Sequence, residues 1–282
     1  MIITTSIMTQ PGKSTDFGPT HIINPTTEHT HTAILLHGRG SNGPEFAQEL
    51  FDETLFADGL SLAQKLPNWK WVFPSSRELW SEAFQEDMPA WFEAHSLTDT
   101  TARQEVQIPG IKESTTYVKT IIDEEIAKLD GASARVVLGG ISQGGAIALW
   151  TLLSQGEKPF GAFFGTNTWL PFASSLSEYT TQASNVGNDG GVAIVTDMLG
   201  SPPFTSSQGQ ALRHSTPIFL GHGTDDAYVD VELGRQARDV FTKVGYSVDW
   251  KEYTGAELEG HWIKAPEELE DLSEFFTKTL SR

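Results

Sequence analysis

The sequence predicts an α/β fold, a mostly parallel central sheet with helices on both faces. Two observations carry that expectation. Short, unbroken apolar runs recur along the chain, several of them ending in glycine, and amphipathic helical patterns fall between them. Strands covered on both faces read as continuous apolar runs, whereas half-exposed strands alternate. The size fits as well: 282 residues, 38% hydrophobic, with 16 Phe and 8 Trp, can fill one large core.

In chain order, residues 1–16 are rich in Thr and Ser without apolar periodicity and read as a flexible N-terminal segment. One domain is expected over 17–282. Residues 21–23 suggest an edge strand, and 33–37 form the first buried one. Further strands are expected at 69–73, 135–139, 161–164 and 217–221, with a more alternating one at 247–253. The clearest helix places Ile111, Thr115, Val118, Ile122, Ile126 and Leu129 at steps of three and four. Other helices are expected at 44–64, 143–153, 231–244 and 266–280. Residues 173–214, rich in Ser, Thr, Gly and Asn, break the rhythm and read as an insertion, a candidate lid. Within it only 191–199 has a helix-like or strand-like pattern. No internal repeat is present.

Charge and composition exclude several functions. Nineteen Lys and Arg against 37 Asp and Glu leave a net charge of −18, which disfavours nucleic acid and anionic lipid surfaces as partners. No run approaches the ~18 apolar residues of a membrane span. The first residues lack the pattern of a secretory signal, so a cytoplasmic protein is expected. The absence of cysteine excludes disulfides, a thiol nucleophile and thiolate metal sites.

The most informative segment is Gly140-Ile141-Ser142-Gln143-Gly144, set between a buried strand and an apolar helix. A Gly-x-Ser-x-Gly turn of this kind lifts a serine hydroxyl above the sheet, at a helix N-terminus that offers N–H groups to an oxyanion. A serine needs a base, and in this arrangement acid and base follow it in the order Ser, Asp, His. Of the eight histidines, only His214, His222 and His261 come after Ser142. His222 precedes the acid and reads as shaping a turn. His261, between the final strand and the last helix, is the expected base. The acid belongs after the next-to-last strand, where Asp225 and Asp226 both qualify. Spacing does not choose between them, and the other is expected to cap the helix near Val231 or face solvent.

Taken together, these segments resemble the phospholipase/carboxylesterase family of α/β-hydrolases, which includes the acyl-protein thioesterases. His37-Gly38-Arg39-Gly40-Ser41-Asn42-Gly43 is similar to the family's His-Gly-x-Gly-Asp/Ser-x-Gly loop. Phe73-Pro74-Ser75, Ala90-Trp91-Phe92-Glu93, Gly110-Ile111 and Trp169-Leu170-Pro171 resemble other family segments, in the expected order. His222-Gly223-Thr224-Asp225-Asp226-Ala227-Tyr228-Val229 matches His-Gly-x-x-Asp-x-x-Val. The resemblance implies Asp226 as the acid and the backbone N–H groups of Arg39 and Gln143 as the oxyanion hole. It also implies that Trp91, Trp169 and Tyr228 line or border the acyl site. The implied activity is cofactor-free cleavage of an ester or thioester (small molecule, lipid or acylated protein) through an acyl-enzyme. A binding protein on this fold, or an acyltransferase using the same nucleophile, is the alternative. The sequence departs from the pattern at Arg39, a place often apolar, where it would narrow or polarise the acyl entrance. It departs also at Ser41, at Trp262 and in the length of 173–214.

Other signals carry less. His29 and His31 could share one face of a strand and a metal, but no third ligand is near, so no metal is expected. The acidic clusters at 123–125 and 267–271 read as solvated helix faces, and phosphate-binding glycine loops are absent.

Overall fold

The computed structural model describes residues 16–82, 84–96, 99–100, 102–154, 159–182, 197–198 and 215–280. The expected N-terminal segment, apart from Asp16, and most of the expected insertion lie outside the described residues. So does the 191–199 pattern, apart from Asp197 and Met198.

The strands are β1 (His21–Ile23), β2 (His31–Leu36), β3 (Trp69–Phe73), β4 (Arg77–Ser81), β5 (Glu86–Ala90), β6 (Val136–Ile141), β7 (Ala162–Thr166), β8 (Ile218–Gly223) and β9 (Val248–Tyr253). Seven form one sheet in the order β1-β3-β2-β6-β7-β8-β9. Every pair is parallel except the edge pair β1–β3. Seven helices are described: α1 (Gly43–Gln48), α2 (Leu62–Lys65), α3 (Gln107–Lys128), α4 (Ser142–Ser154), α5 (Ala173–Gln182), α6 (Val231–Val244) and α7 (Glu267–Leu280).

The period-2 geometry of a strand divides the core. In β2, Ile34 and Leu36 join Ile111, Val118, Leu149 and Phe241 on one side of the sheet. Ala33 and Leu35 join Phe46, Trp71, Phe164, Phe275 and Phe276 on the other. Both faces are therefore covered, which is why the strands read as unbroken apolar runs. Among the described residues no helix is long and apolar enough to cross a membrane.

Four local expectations are corrected. The helix expected over 44–64 is broken, because Asn42 and Ser61 cap two separate short helices. Between them a π-type turn, Glu49–Glu53, ends at an extended Thr54, and Gly59 turns with φ +77°. The stretch 173–214 begins not as a loop but as α5. Strand β2 begins only at His31, and the two histidines bond to different threonines, His29 to Thr32 and His31 to Thr30. Finally, both acidic clusters contain a buried carboxylate. Glu125 takes Lys70 and Lys128, while Glu268 accepts from Thr166 Oγ1 (2.7 Å) and Lys264 N (2.9 Å).

Glu268 makes stability pH-dependent. Burial, aided by the Asp271 charge and opposed by the two hydrogen bonds, pushes its carboxyl up to about 7 from 4.5. Below the lower value both folded and unfolded chains hold the proton. Between the two values the folded chain keeps it and the unfolded chain does not, so stability falls as pH rises through that window. Urea unfolding at about pH 5 and about pH 8 should show a smaller loss for Glu268→Gln than for the unaltered protein. Equal losses would remove Glu268 as the cause.

Candidate active site

The buried strand β6 runs directly into α4, and the residue at the junction, Ser142, has φ +54°. A non-glycine residue there costs about 1–3 kcal/mol and persists only where surrounding packing enforces it. The enforcement comes from the end of β2. A Cβ on Gly144 would lie 2.3 Å from the carbonyl oxygens of both Leu36 and His37, and one on Gly140 would lie 2.8 Å from Leu36 O. The glycines flanking the serine are thus required by close approach of two backbones.

Gln143 is buried, and its side chain is fully used: Oε1 accepts from Trp91 N (2.8 Å) and Nε2 donates to Phe92 O (2.8 Å). Its backbone N–H, in the first turn of α4, has no carbonyl of that helix to bond. Opposite it, the loop after β2 is anchored by His37. Burial lowers the His37 pKa to about 4, so the ring is neutral. Its Nε2 accepts from Ser76 N, leaving Nδ1–H to donate to Gly38 O. The N–H groups of Gly40 and Ser41 are taken by Pro89 O and Gly38 O, whereas that of Arg39 meets no acceptor among the described residues.

The acid and base arrive from the far half of the chain. After β8, Asp226 Oδ1 accepts from Tyr228 N (2.8 Å) and Val229 N (2.9 Å), and Oδ2 lies 2.7 Å from His261 Nδ1. The Asp226 side chain is fully buried, while that of His261 is 16% exposed. The neighbouring Asp225 instead accepts from Gly255 N, which lowers its pKa. Asp225 faces solvent, one of the two places expected for it, and α6 is capped by Asp230 through Glu232 N. His222 is buried with a lowered pKa, and its Nε2 lies 2.9 Å from Val229 O. It braces the acid turn from behind.

One contributor escaped the sequence. Asn167, just past β7 and with φ +46°, is buried beneath both turns. Its Oδ1 accepts from Gly223 N (2.7 Å) and its Nδ2 donates to Trp262 O (2.9 Å). A single amide therefore ties the acid-bearing turn to the histidine-bearing one. The only local signal was an asparagine, a residue tolerant of left-handed backbone, directly after a strand.

Ser142, Gln143, His261 and Arg39 border one cavity of about 280 Å³, with Phe84, Met88, Trp169, Tyr228, Val229 and Leu258 among its other walls. Among the described residues Ser142 and His261 share no direct hydrogen bond. Trp169 and Tyr228 border this cavity. Trp91 does not border the cavity: its ring is buried and its indole donates to His37 O (2.8 Å), so it supports the loop behind the wall.

Comparison with known proteins places the chain among relatives of one family. A family model described as phospholipase/carboxylesterase matches residues 18–189 and 184–280. The protein named acyl-protein thioesterase 1 from Gibberella zeae is 29% identical over 258 residues, covering 90% of this chain and 92% of that one. Its counterpart of the same name from Yarrowia lipolytica is 29% identical over 230 residues, 80% and 84% of the two chains. Among solved structures, acyl-protein thioesterase 2 of Zea mays superposes with TM-score 0.68 at 24% identity, covering 93% of this chain and 99% of that one. SOBER1 of Arabidopsis thaliana superposes with TM-score 0.64 at 25% identity, covering 89% and 99%.

Proposed function

Because the chain belongs to the phospholipase/carboxylesterase family of α/β-hydrolases, we propose that it is a serine hydrolase cleaving carboxylic esters or thioesters through an acyl-enzyme. The observation that carries this reading is His261, 2.7 Å from the buried Asp226, bordering the same cavity as a serine held at positive φ. Relatives named acyl-protein thioesterases support acylated proteins as one substrate class. In this reading residues 17–282 act as one hydrolase domain, and a cysteine-free, acidic chain suits a cytoplasmic setting.

Ser142 Oγ attacks the acyl carbon, and its proton passes to His261 Nε2. Asp226 Oδ2 holds the Nδ1–H and stabilises the imidazolium. The carbonyl oxygen, now negative, is received by the N–H groups of Arg39 and Gln143. His261 then protonates the departing alcohol or thiol, leaving the acyl group on Ser142. In the second half, His261 takes a proton from water, which attacks the ester and releases the acid as Ser142 regains its proton. In unliganded sites the serine–histidine contact is often long and tightens with substrate.

A fluorophosphonate probe tests the nucleophile. At about pH 8 it should label one peptide, the one containing Ser142, and His261→Ala should slow that labelling severely. Folded protein that stays unlabelled overturns the reading.

A further inference from the structure

Five buried side-chain polar atoms lack a hydrogen-bond partner among the described residues, and two of them belong to residues bordering the active cavity. They are Arg39 NH1 and Trp169 Nε1, and both are donors. Buried donors are almost always paired, so two unpaired ones at one cavity mark the place of an acceptor. Arg39 is the more telling. Its Nε reaches only Met88 Sδ (3.2 Å), a thioether and a weak acceptor. Glu93 is the nearby opposite charge acting on it, yet the two form no ion pair among the described residues. Burial lowers the Arg39 pKa, but a guanidinium keeps its charge at neutral pH. The side chain as a whole is only half-buried, but its NH1 is shut off from solvent with no acceptor, and a ligand oxyanion would supply one.

We propose that Arg39 is a substrate-recognition residue, docking a carboxylate or phosphate carried by the substrate close to its scissile carbonyl. This rests on the hydrolase reading above and narrows it to a substrate class. In the hydrolase reading the Arg39 N–H serves the oxyanion hole, and the residue borders the same cavity as Ser142. The recognised anion therefore lies only a few bonds from the ester. The net charge of −18 acts in the opposite sense, repelling anionic substrates at long range. Any preference for them must come from a local cation.

Two matched pairs of esters separate the sources of the anion. Monoethyl adipate against ethyl hexanoate places a carboxylate on the acyl side. Butyrylglycerol phosphate against butyrylglycerol places a phosphate on the leaving side. For at least one pair, kcat/KM of the unaltered protein should favour the anionic ester by about tenfold or more, the size of a charged hydrogen bond. Arg39→Met should collapse that ratio, chiefly through KM, with Arg39→Lys retaining part of it. Because the reading is a ratio within one protein, a general loss of activity in the variant does not disturb it. Ratios near or below one for both pairs in the unaltered protein overturn the proposal even if the variants fail to fold, and so does a ratio that Arg39→Met leaves unchanged. Ser142-dependent hydrolysis of neutral esters alone defeats only this proposal. Absence of both hydrolysis and fluorophosphonate labelling defeats the hydrolase reading with it.

Discussion

Replacing Ser142 by Ala should lower turnover of a short p-nitrophenyl ester by about a thousandfold or more while leaving the fold intact. Alanine keeps the Cβ and so leaves the packing of the elbow unchanged; only the hydroxyl facing the cavity is lost. The left-handed backbone at φ +54° is as unfavourable for alanine as for serine, so thermal stability should change little. His261→Ala should give a loss of similar size, because it removes the base that takes the serine proton. The two losses should not add, since groups acting as one unit fail together. Steady-state rates of the single and double variants decide the matter, and near-normal turnover by either single variant would undo the assignment.

Gly144→Ala is expected to be the most damaging change to the fold near the site. Its new methyl would sit 2.3 Å from two carbonyl oxygens, those of Leu36 and His37. Neither backbone can yield cheaply: β2 is bonded on both sides by β3 and β6, and α4 is packed in the main core. Overpacking of this kind costs about 3 kcal/mol or more, a large share of the total stability of a typical domain. Gly131→Ala is the control, since a methyl there meets nothing within 4 Å and faces only the strain of φ +84°. Denaturant unfolding should rank the two in that order. A Gly144→Ala protein within about 1 kcal/mol of the original would contradict the close approach.

The buried elements were legible because burial on two faces leaves an unbroken apolar run, and β3 and β8 were found that way within two residues. The hairpin β4–β5 was not. Most of its residues are polar or half-exposed, with Trp80 exposed and Pro89 within a strand, so neither run nor alternation announced it. The false continuous helix over 44–64 arose because Phe46, Leu50 and Phe51 keep helical spacing through a π-type turn. At the site, Ser142 and His261 could be read from order and context. The choice between Asp225 and Asp226 could not, since one residue's difference in spacing decides which carboxylate meets the imidazole. Only the family resemblance resolved it. Glu268 was misread for a related reason: a carboxylate in an acidic run looks solvated, and only the fold shows that one member points inward. Asn167 was invisible because both its partners are backbone groups distant in sequence, Gly223 N and Trp262 O.

That shared asparagine constrains how the enzyme can be re-engineered. Grafting the histidine segment of a relative into this chain, without the residue that stands at 167 in the donor, would strand a carbonyl or an amide in a dry interior. Chimeras that exchange positions 167, 223–229 and 259–262 as one cassette should survive more often than those swapping a single piece, because the three segments answer to one side chain.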